Sequence, residues 1–251
     1  MKTCNILGTD IVVTNLNETA VYLEKNLEKL RGKYVCVSNV HTTVTAYYDE
    51  EYKKIQNNAA LVLPDGKPLS IVSKKRGFKE AERVTGPDLM GCLFSESELK
   101  GYTHYFYGST NDTLSVLYTN LKKKYPKLQV AGMYSPPFKS EVSFEKEEVL
   151  NEINRLKPDF IWIGLGAPKQ EKWMALHEGK VNGVMLGVGA GFDYYAEKIK
   201  RAPDWMQKYS LEWLYRLLQD PKRLFKRYLI TNSKFLYLTI LKKDRKEYSN
   251  A

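Results

Sequence analysis

The sequence predicts an α/β protein: a mostly parallel sheet with helices on both faces, followed by a basic helical appendage. Three observations support this prediction. The 251 residues are 43% hydrophobic and 27% charged, which is typical of a globular protein large enough to bury one core. Short apolar runs alternate with longer segments of helical periodicity. The net charge of +10 is concentrated beyond residue 199.

Each predicted strand is a short run of β-branched, aromatic or other apolar residues. The runs cover residues 11–13, 34–38, 60–63, 104–107, 128–131, 160–163 and 184–186. Between them, helical spacing of apolar residues predicts helices at 18–30, 42–56, 68–73, 87–94, 112–125, 143–156 and 168–177. Such crossover helices return the chain to the same edge of a sheet, so successive strands are expected to be parallel.

The appendage, residues 201–251, is predicted separately from the α/β domain, residues 1–200. Residues 200–251 hold 13 Lys or Arg and 5 Asp or Glu, a net +8, which leaves +2 for the rest of the chain. Asp220 and Pro221 are an N-cap and first-turn pair that starts a helix. Its spacing separates an apolar face from a basic face: Leu224, Phe225, Tyr228 and Leu229 against Lys222, Arg223, Lys226 and Arg227.

This basic amphipathic helix has several interpretations. The apolar residues between 228 and 241 are too few to span a bilayer. The helix could lodge at an anionic membrane surface, which its charge favours. It could also pack on the protein body or a partner subunit, remain a solvated surface helix, or bind nucleic acid.

The sequence contains few residues that bind metals, and its cysteines do not form a pattern typical of disulfides. Three cysteines and three histidines are scattered, without a Cys-x-x-Cys pair: Cys4, Cys36, Cys92, His41, His104 and His177. A structural zinc site is therefore not expected, and no Asp-x-Asp motif occurs. The first residues lack an apolar run of signal-peptide length, so we expect a reduced protein on the cytoplasmic side.

Small or polar residues follow the predicted strands, where open α/β sheets bind ligands. They include Ser38 and Asn39, Asp65, Gly108 and Tyr134. Two glycine-rich loops, 164–170 and 187–193, supply backbone N–H groups for an oxyanion, although neither is a P-loop and each could be only a tight turn. A nucleotide-type pocket is the simplest interpretation.

Three side chains have chemistry suited to this pocket, each beside a structural alternative. The spacing around Asp65 fits either a general base or the N-cap of the following helix. Arg83 has the planar fork that binds a diphosphate, or it pairs with Glu82 on the surface. Gln170 could hydrogen-bond a phosphate or sugar, or lie in a solvated helix start.

Five segments together resemble the WecG/TagA/CpsF glycosyltransferases. They are residues 63–66 (LPDG), 82–89 (ERVTGPDL), 164–171 (GLGAPKQE), 187–193 (GVGAGFD) and 201–205 (RAPDW) with 211–216 (LEWLYR). The likeness runs in order over nearly the whole chain. It implies a Rossmann-like fold and a bacterial enzyme that moves a sugar from a UDP-sugar, with inversion, to a polyprenyl-diphosphate-linked saccharide of a surface polysaccharide or wall polymer.

The resemblance also implies residue roles. Asp65 matches the general base, and Arg83 and Gln170 match pocket residues beside the diphosphate and sugar; these three are the predicted catalytic residues. Lys226 stands where an Arg is expected, and Ser38 where many members have Thr. The complete substrate-binding set is Ser38, Asn39, Gly108, Tyr134, Gly166, Gly189, Asp193, Arg216, Arg223 and Lys226.

The implied partners are a UDP-sugar donor, a polyprenyl-diphosphate-linked acceptor and an anionic membrane surface on the cytoplasmic face of the plasma membrane. No cofactor, metal or nucleic acid is expected. The sequence does not determine the donor sugar, the acceptor saccharide or the polymer. It also does not determine the oligomeric state, and a homo-oligomer is one of the possibilities. The alternative from another class is a membrane-associated nucleotide-binding protein without catalysis.

Overall fold

The computed structural model describes residues 1–138, 141–209 and 211–241, apart from the side chains at 204, 208, 223 and 241. The strands are β1 (Thr3–Ile6), β2 (Thr9–Val12), β3 (Tyr34–Ser38), β4 (Leu61–Pro64), β5 (Thr103–Gly108), β6 (Gln129–Tyr134), β7 (Phe160–Gly164) and β8 (Val184–Gly187). The helices of the α/β part are α1 (Leu16–Lys25), α2 (Leu27–Leu30), α3 (Val40–Tyr48), α4 (Glu50–Asn58), α5 (Lys67–Lys75), α6 (Gly86–Lys100), α7 (Asn111–Lys124), α8 (Glu147–Leu156), α9 (Lys169–Leu176) and α10 (Gly191–Tyr195). The appendage contains α11 (Asp204–Lys208), α12 (Glu212–Gln219), α13 (Pro221–Leu236) and a π-helical turn, Tyr237–Leu241.

Six strands form one parallel sheet in the order β4-β3-β8-β7-β5-β6. This arrangement confirms the prediction of an α/β protein with a parallel sheet. The chain leaves β3 toward one edge through β4 and returns through β7 and β8 on the other side of β3. The carboxyl ends of β4, β3, β8 and β7 are therefore neighbours at a point where the direction of winding changes, which is where such sheets bind ligands.

The predicted strand at 11–13 lies outside this sheet. It overlaps β2, which pairs with β1 in an antiparallel hairpin. Leu7 and Gly8 form the two-residue connection, and both have positive φ, 54° and 84°. Leucine is uncommon in that conformation, so the segment lacks the usual Asn-Gly or Asp-Gly hairpin signal.

Two long predicted helices are each divided at an amide or carboxylate side chain. Asn26 ends α1, and its side-chain amide donates to the Tyr22 carbonyl. Asp49 ends α3 and caps α4, because its Oδ1 accepts the Tyr52 N–H at 2.9 Å. Short Asn and Asp side chains compete for backbone hydrogen bonds in this way, which periodicity alone does not show.

Helices cover both faces of the sheet, as predicted. Alternate strand residues point to opposite faces. Val35, Phe106 and Trp162 belong to the core cluster under α1, α6, α7 and α10. Cys36, Tyr107 and Ile163 belong to the cluster that includes side chains of α5, α8 and α9.

The appendage packs on the second of these faces, where α13 lies against α3. Leu224, Thr231, Phe235 and Leu238 are buried, so helical spacing does bury one face. That face differs from the predicted one, because Phe225 and Leu229 are each 58% exposed. The residue at which a separate domain begins, predicted as 201, stays a prediction.

Candidate active site

A cavity of about 1090 Å³ lies at the carboxyl ends of the four neighbouring strands. Loops after β3, β4, β7 and β8 form its floor, and α5 forms one side. Residues of α12 and α13 close the other side. The appendage therefore contributes directly to the cavity.

Asp65 follows β4 and lines this cavity. Its N–H donates to the Ser38 carbonyl at 2.7 Å, which ties the turn to the neighbouring strand. The N-cap of α5 is Gly66, with φ +96°, and no side chain caps that helix. The carboxylate of Asp65 instead accepts a hydrogen bond from the Asn39 side chain. The structure thus favours the pocket-facing interpretation of Asp65 over the capping one.

Asn39 is held in place by its own helix. It is the N-cap of α3, where its Oδ1 accepts the N–H groups of His41 at 3.0 Å and Thr42 at 3.3 Å. The Thr42 hydroxyl accepts the Asn39 N–H in return, which completes a capping box. Because the amide oxygen is used for capping, the amide NH₂ is the group that faces Asp65.

Burial raises the pKa of Asp65 to about 6. The nearby carboxylate of Glu212 raises this pKa further. The guanidinium groups of Arg83 and Arg216 and the Asn39 hydrogen bond act in the opposite direction. A carboxyl group with this pKa is ionised at neutral pH and is a stronger base than an exposed carboxylate.

Arg83 connects the α/β part to the appendage through ion pairs. Its Nη1 pairs with Glu212 Oε2 on α12, and its Nη2 lies 3.8 Å from Asp88 Oδ2. Arg201 Nη1 also pairs with Asp88, at 2.6 Å. The sequence analysis considered Glu82 as the ion-pair partner of Arg83, but the partners in these ion pairs are Glu212 and Asp88. Arg83 therefore faces the cavity with its charge partly compensated by Glu212.

Gln170 joins the two glycine-rich loops. Its Oε1 accepts the Gly189 N–H at 2.9 Å, and its Nε2 donates to Glu171 Oε1 at 2.8 Å. Glu171 is fully buried, and this burial raises its pKa to about 6. Tyr52 also hydrogen-bonds to Glu171. Gln170 therefore lines the cavity as the residue that fixes the loop after β8.

Gly166 and Gly189 lie on the cavity wall with positive φ, +77° and +55°. A Cβ at Gly166 would have no heavy atom within 4 Å. Glycine is therefore needed there for backbone conformation, not for lack of space. Both loops present backbone to the cavity, as an anion site requires.

Arg216 is the cation that α12 brings to the cavity. Its guanidinium carbon lies 5.5 Å from the centre of the Tyr194 ring. The charge of Arg216 lowers the pKa of Asp65. Arg216 therefore lines the cavity, and its role in substrate binding stays a prediction.

Many other residues line the cavity without having been predicted as site residues, among them His41, Tyr194, Glu212 and Arg227. Burial lowers the pKa of His41, and the charge of Arg227 lowers it further. Glu212 is within the matched segment 211–216, which was the available signal for it. Arg227 belongs to the predicted basic helix, where spacing could not distinguish cavity-facing from solvent-facing cations.

Five predicted substrate-binding residues lie outside the cavity wall, and a sixth is not described. Ser38 is buried and donates to Gln56 on α4. The Gly108 backbone packs against Gly164, and the Tyr134 ring packs on Tyr107 at 5.6 Å. The carbonyl of Asp193 accepts two backbone N–H groups after α10. Lys226 is exposed. The side chain of Arg223 lies outside the described residues. Their roles stay predictions.

Within residues 1–138, 141–209 and 211–241, no group of three or more His, Cys, Asp or Glu side chains could hold a metal ion. In the same residues, no helix combines the length and the apolar character needed to cross a bilayer. Metal independence and membrane association stay predictions.

A model of the glycosyl transferase WecG/TagA/CpsF family matches residues 4–249. The N-acetylglucosaminyldiphosphoundecaprenol N-acetyl-beta-D-mannosaminyltransferase of Bacillus subtilis (strain 168) is 29% identical over 247 residues, 98% of this chain and 93% of that protein. The proteins with this name from Bacillus spizizenii (strain ATCC 23059 / NRRL B-14472 / W23) and Staphylococcus aureus (strain MW2) are 29% and 28% identical. They cover 89% and 88% of this chain, and 86% of each relative is matched.

Proposed function

The chain belongs to the WecG/TagA/CpsF family and is a glycosyltransferase, and we propose that it transfers a sugar from a UDP-sugar, with inversion, to a polyprenyl-diphosphate-linked saccharide. The product would be an intermediate of a bacterial surface polysaccharide or wall polymer. The relatives' name specifies an N-acetylmannosaminyl group and N-acetylglucosaminyldiphosphoundecaprenol. We propose the same acceptor class here.

The observation that carries this proposal is the cavity-facing Asp65, with a pKa near 6 and cations around it. Its carboxylate takes the proton from an acceptor hydroxyl. The hydroxyl oxygen forms a bond to the anomeric carbon as the bond from that carbon to the diphosphate breaks. UDP leaves with the bonding electron pair. Attack on the face opposite the leaving group inverts the anomeric configuration.

The leaving diphosphate needs positive charge and N–H donors. Arg216 and the backbone of the glycine-rich loops supply them on the cavity wall. Arg83 is paired with Glu212, so we assign it first to positioning Glu212 and the appendage beside Asp65. The proposal uses no metal and no cofactor.

The experiment that tests this function is UDP release in the presence of a panel of UDP-sugars and an N-acetylglucosaminyl diphosphate acceptor with a short prenyl chain. Release that requires both substrates is expected for one donor, and UDP-N-acetylmannosamine is the first candidate. Reactions without acceptor are the control for hydrolysis. Binding of UDP without release across the panel would instead support the non-catalytic alternative.

We also propose that the appendage holds the protein on the cytoplasmic face of the plasma membrane. Its helices carry cations together with large exposed apolar residues, including Trp205, Tyr209, Leu218, Phe225 and Leu229. Aromatic and Leu side chains can enter the interface while Lys and Arg contact anionic headgroups. Because the proposed acceptor is linked to a membrane lipid, contact with the membrane would bring the enzyme to its acceptor.

The double substitution of Phe225 and Leu229 by Ser is expected to lower the fraction bound to anionic phospholipid vesicles by about tenfold or more. Each of these side chains is 58% exposed, so folding should be little affected. Leu99→Ser is the control, because Leu99 is 84% exposed on α6, outside the appendage. Vesicle sedimentation measures binding. Equal binding of wild type and double variant would reject the appendage as the anchor.

A further inference from the structure

The cavity continues beyond the catalytic residues as a groove between two helices. On α5, the lining residues recur every four positions: Lys67 and Pro68, Ile71 and Val72, then Lys75 and, just after the helix, Arg76. On α13 and the turn after it, they do the same: Arg227 and Tyr228, Thr231 and Asn232, Phe235 and Leu236, then Thr239 and Ile240. Residues four apart lie on one helix face, so each helix presents one face to the groove.

The groove runs away from Asp65. Arg227 lies near His41, in the first turn of α3. Further along the same two helices, the Lys234 ammonium lies 4.5 Å from the centre of the Tyr48 ring. Hence α13 runs in the same direction as α3, which begins beside Asp65 at Asn39. Residues 235–240 are therefore farther from the base than Arg227.

The polarity of the groove changes along this direction. Arg216, Arg227 and Tyr228 are at the end near Asp65. Phe235, Leu236 and Ile240 are at the far end on the α13 wall. On the α5 wall, Ile71 and Val72 follow Lys67 and Pro68, and Lys75 and Arg76 lie beyond them. Leu236 and Ile240 are 55% and 57% exposed. The α13 wall and the middle of the α5 wall therefore form an apolar surface in continuity with the candidate active site, with two cations at its outer edge on α5.

The two threonine hydroxyls on the α13 side of the groove are already hydrogen-bonded. The hydroxyl of Thr231 donates to the Arg227 carbonyl at 2.8 Å, and that of Thr239 donates to the Phe235 carbonyl at 2.7 Å. Both threonine hydroxyl groups therefore donate their hydrogen bond to a backbone carbonyl of their own helix. Such a wall suits a hydrocarbon better than a sugar or a base, which would need hydrogen-bond partners.

We propose that this groove, between α5 and α13, binds the first isoprene units of the acceptor's polyprenyl chain. The inference rests on the proposed function and adds a subsite to it. The acceptor diphosphate would lie among the cations near Asp65, and the chain would continue into the apolar part. Of residues 242–251, six of ten are charged, so the composition of that segment suits an apolar wall poorly.

The test compares two water-soluble acceptors, N-acetylglucosaminyl diphosphate with a farnesyl chain or with a methyl group, in the absence of membranes. Wild type is expected to have a lower KM for the farnesyl acceptor by about tenfold or more. Leu236→Ser should raise that KM about tenfold and leave the KM for the methyl acceptor and the donor unchanged. Ile71→Ser, on the opposite wall, should act in the same way.

Leu229→Ser is the matched control, since Leu229 is the same residue type on the same helix, similarly exposed and outside the groove. An equal KM for both acceptors in wild type, or an equal effect of Leu229→Ser and Leu236→Ser, would overturn the proposal. Calorimetric binding of farnesyl diphosphate and methyl diphosphate separates this inference from the proposed function. Absence of turnover with tighter farnesyl binding would reject only the function, and equal binding would reject the groove.

Discussion

Replacement of Asp65 by Asn is expected to lower kcat for sugar transfer by about 10²- to 10⁴-fold, because the amide cannot accept the acceptor's proton. Asn has the same shape, and its Oδ1 can still accept the hydrogen bond from Asn39. The cavity should therefore keep its form, and the Kd for UDP should change little. Steady-state UDP release gives kcat, and calorimetry gives the Kd.

The control for this substitution is Asp112→Asn, at an exposed position in the first turn of α7. It should leave kcat within experimental error of wild type. An Asp65→Asn protein that turns over at a rate close to wild type would exclude Asp65 as the base. A large rise in the UDP Kd would instead indicate that the carboxylate organises the donor site.

Arg216→Gln is expected to lower kcat by about 10²-fold, the usual cost of removing one group that stabilises a developing negative charge. Arg216 is the cation of α12 on the cavity wall, and it also favours the ionised form of Asp65. Gln keeps a polar side chain of moderate length without the charge. The measurement is kcat with saturating donor and acceptor.

Lys222→Gln removes a charge from an exposed position of the same appendage and is the control. It tests whether the effect arises from lost membrane attraction or from the cavity. We expect both variants to bind anionic vesicles to a similar extent, with only Arg216→Gln slow in solution. Equal kcat values for the two variants would remove Arg216 from the transfer step.

The parallel sheet could be predicted because five of its six strands, all except β6, are largely buried and read as continuous apolar runs. The strands β3, β7 and β8 were predicted within one residue at either end. The hairpin strand β1 was missed because its turn, Leu7 and Gly8, lacks a standard turn signal. The breaks at Asn26 and Asp49 depend on side-chain hydrogen bonds that periodicity does not contain.

Part of the candidate site could also be predicted. Asn39, Asp65, Gly166 and Gly189 follow adjacent parallel strands, so the topology alone brings them together. The direction of Ser38 could not be predicted, because both faces of β3 are buried and apolar spacing does not tell them apart.

Contacts between segments that are distant along the chain could not be predicted from the sequence. Glu212 reaches Arg83 across 129 positions of the chain, and only the packing of the appendage reveals this ion pair. Arg227 faces the cavity because α13 is rotated from the predicted orientation, with Phe225 and Leu229 outward. Helical spacing predicts that the helix has two different faces, but it does not predict which face packs against the rest of the protein.

The most direct test of the central claim, that Asp65 is the base in a cavity completed by the appendage, is the pH dependence of kcat/KM in wild type and Glu212→Gln. Only the ionised carboxylate accepts the proton, so wild-type kcat/KM should fall as the pH falls through about 6. Glu212→Gln removes the neighbouring negative charge that raises the pKa of Asp65, and Arg83 and Arg216 remain to lower it. The account predicts that the acidic limb moves to lower pH in this variant. A limb that stays in place, or that moves to higher pH, would contradict it.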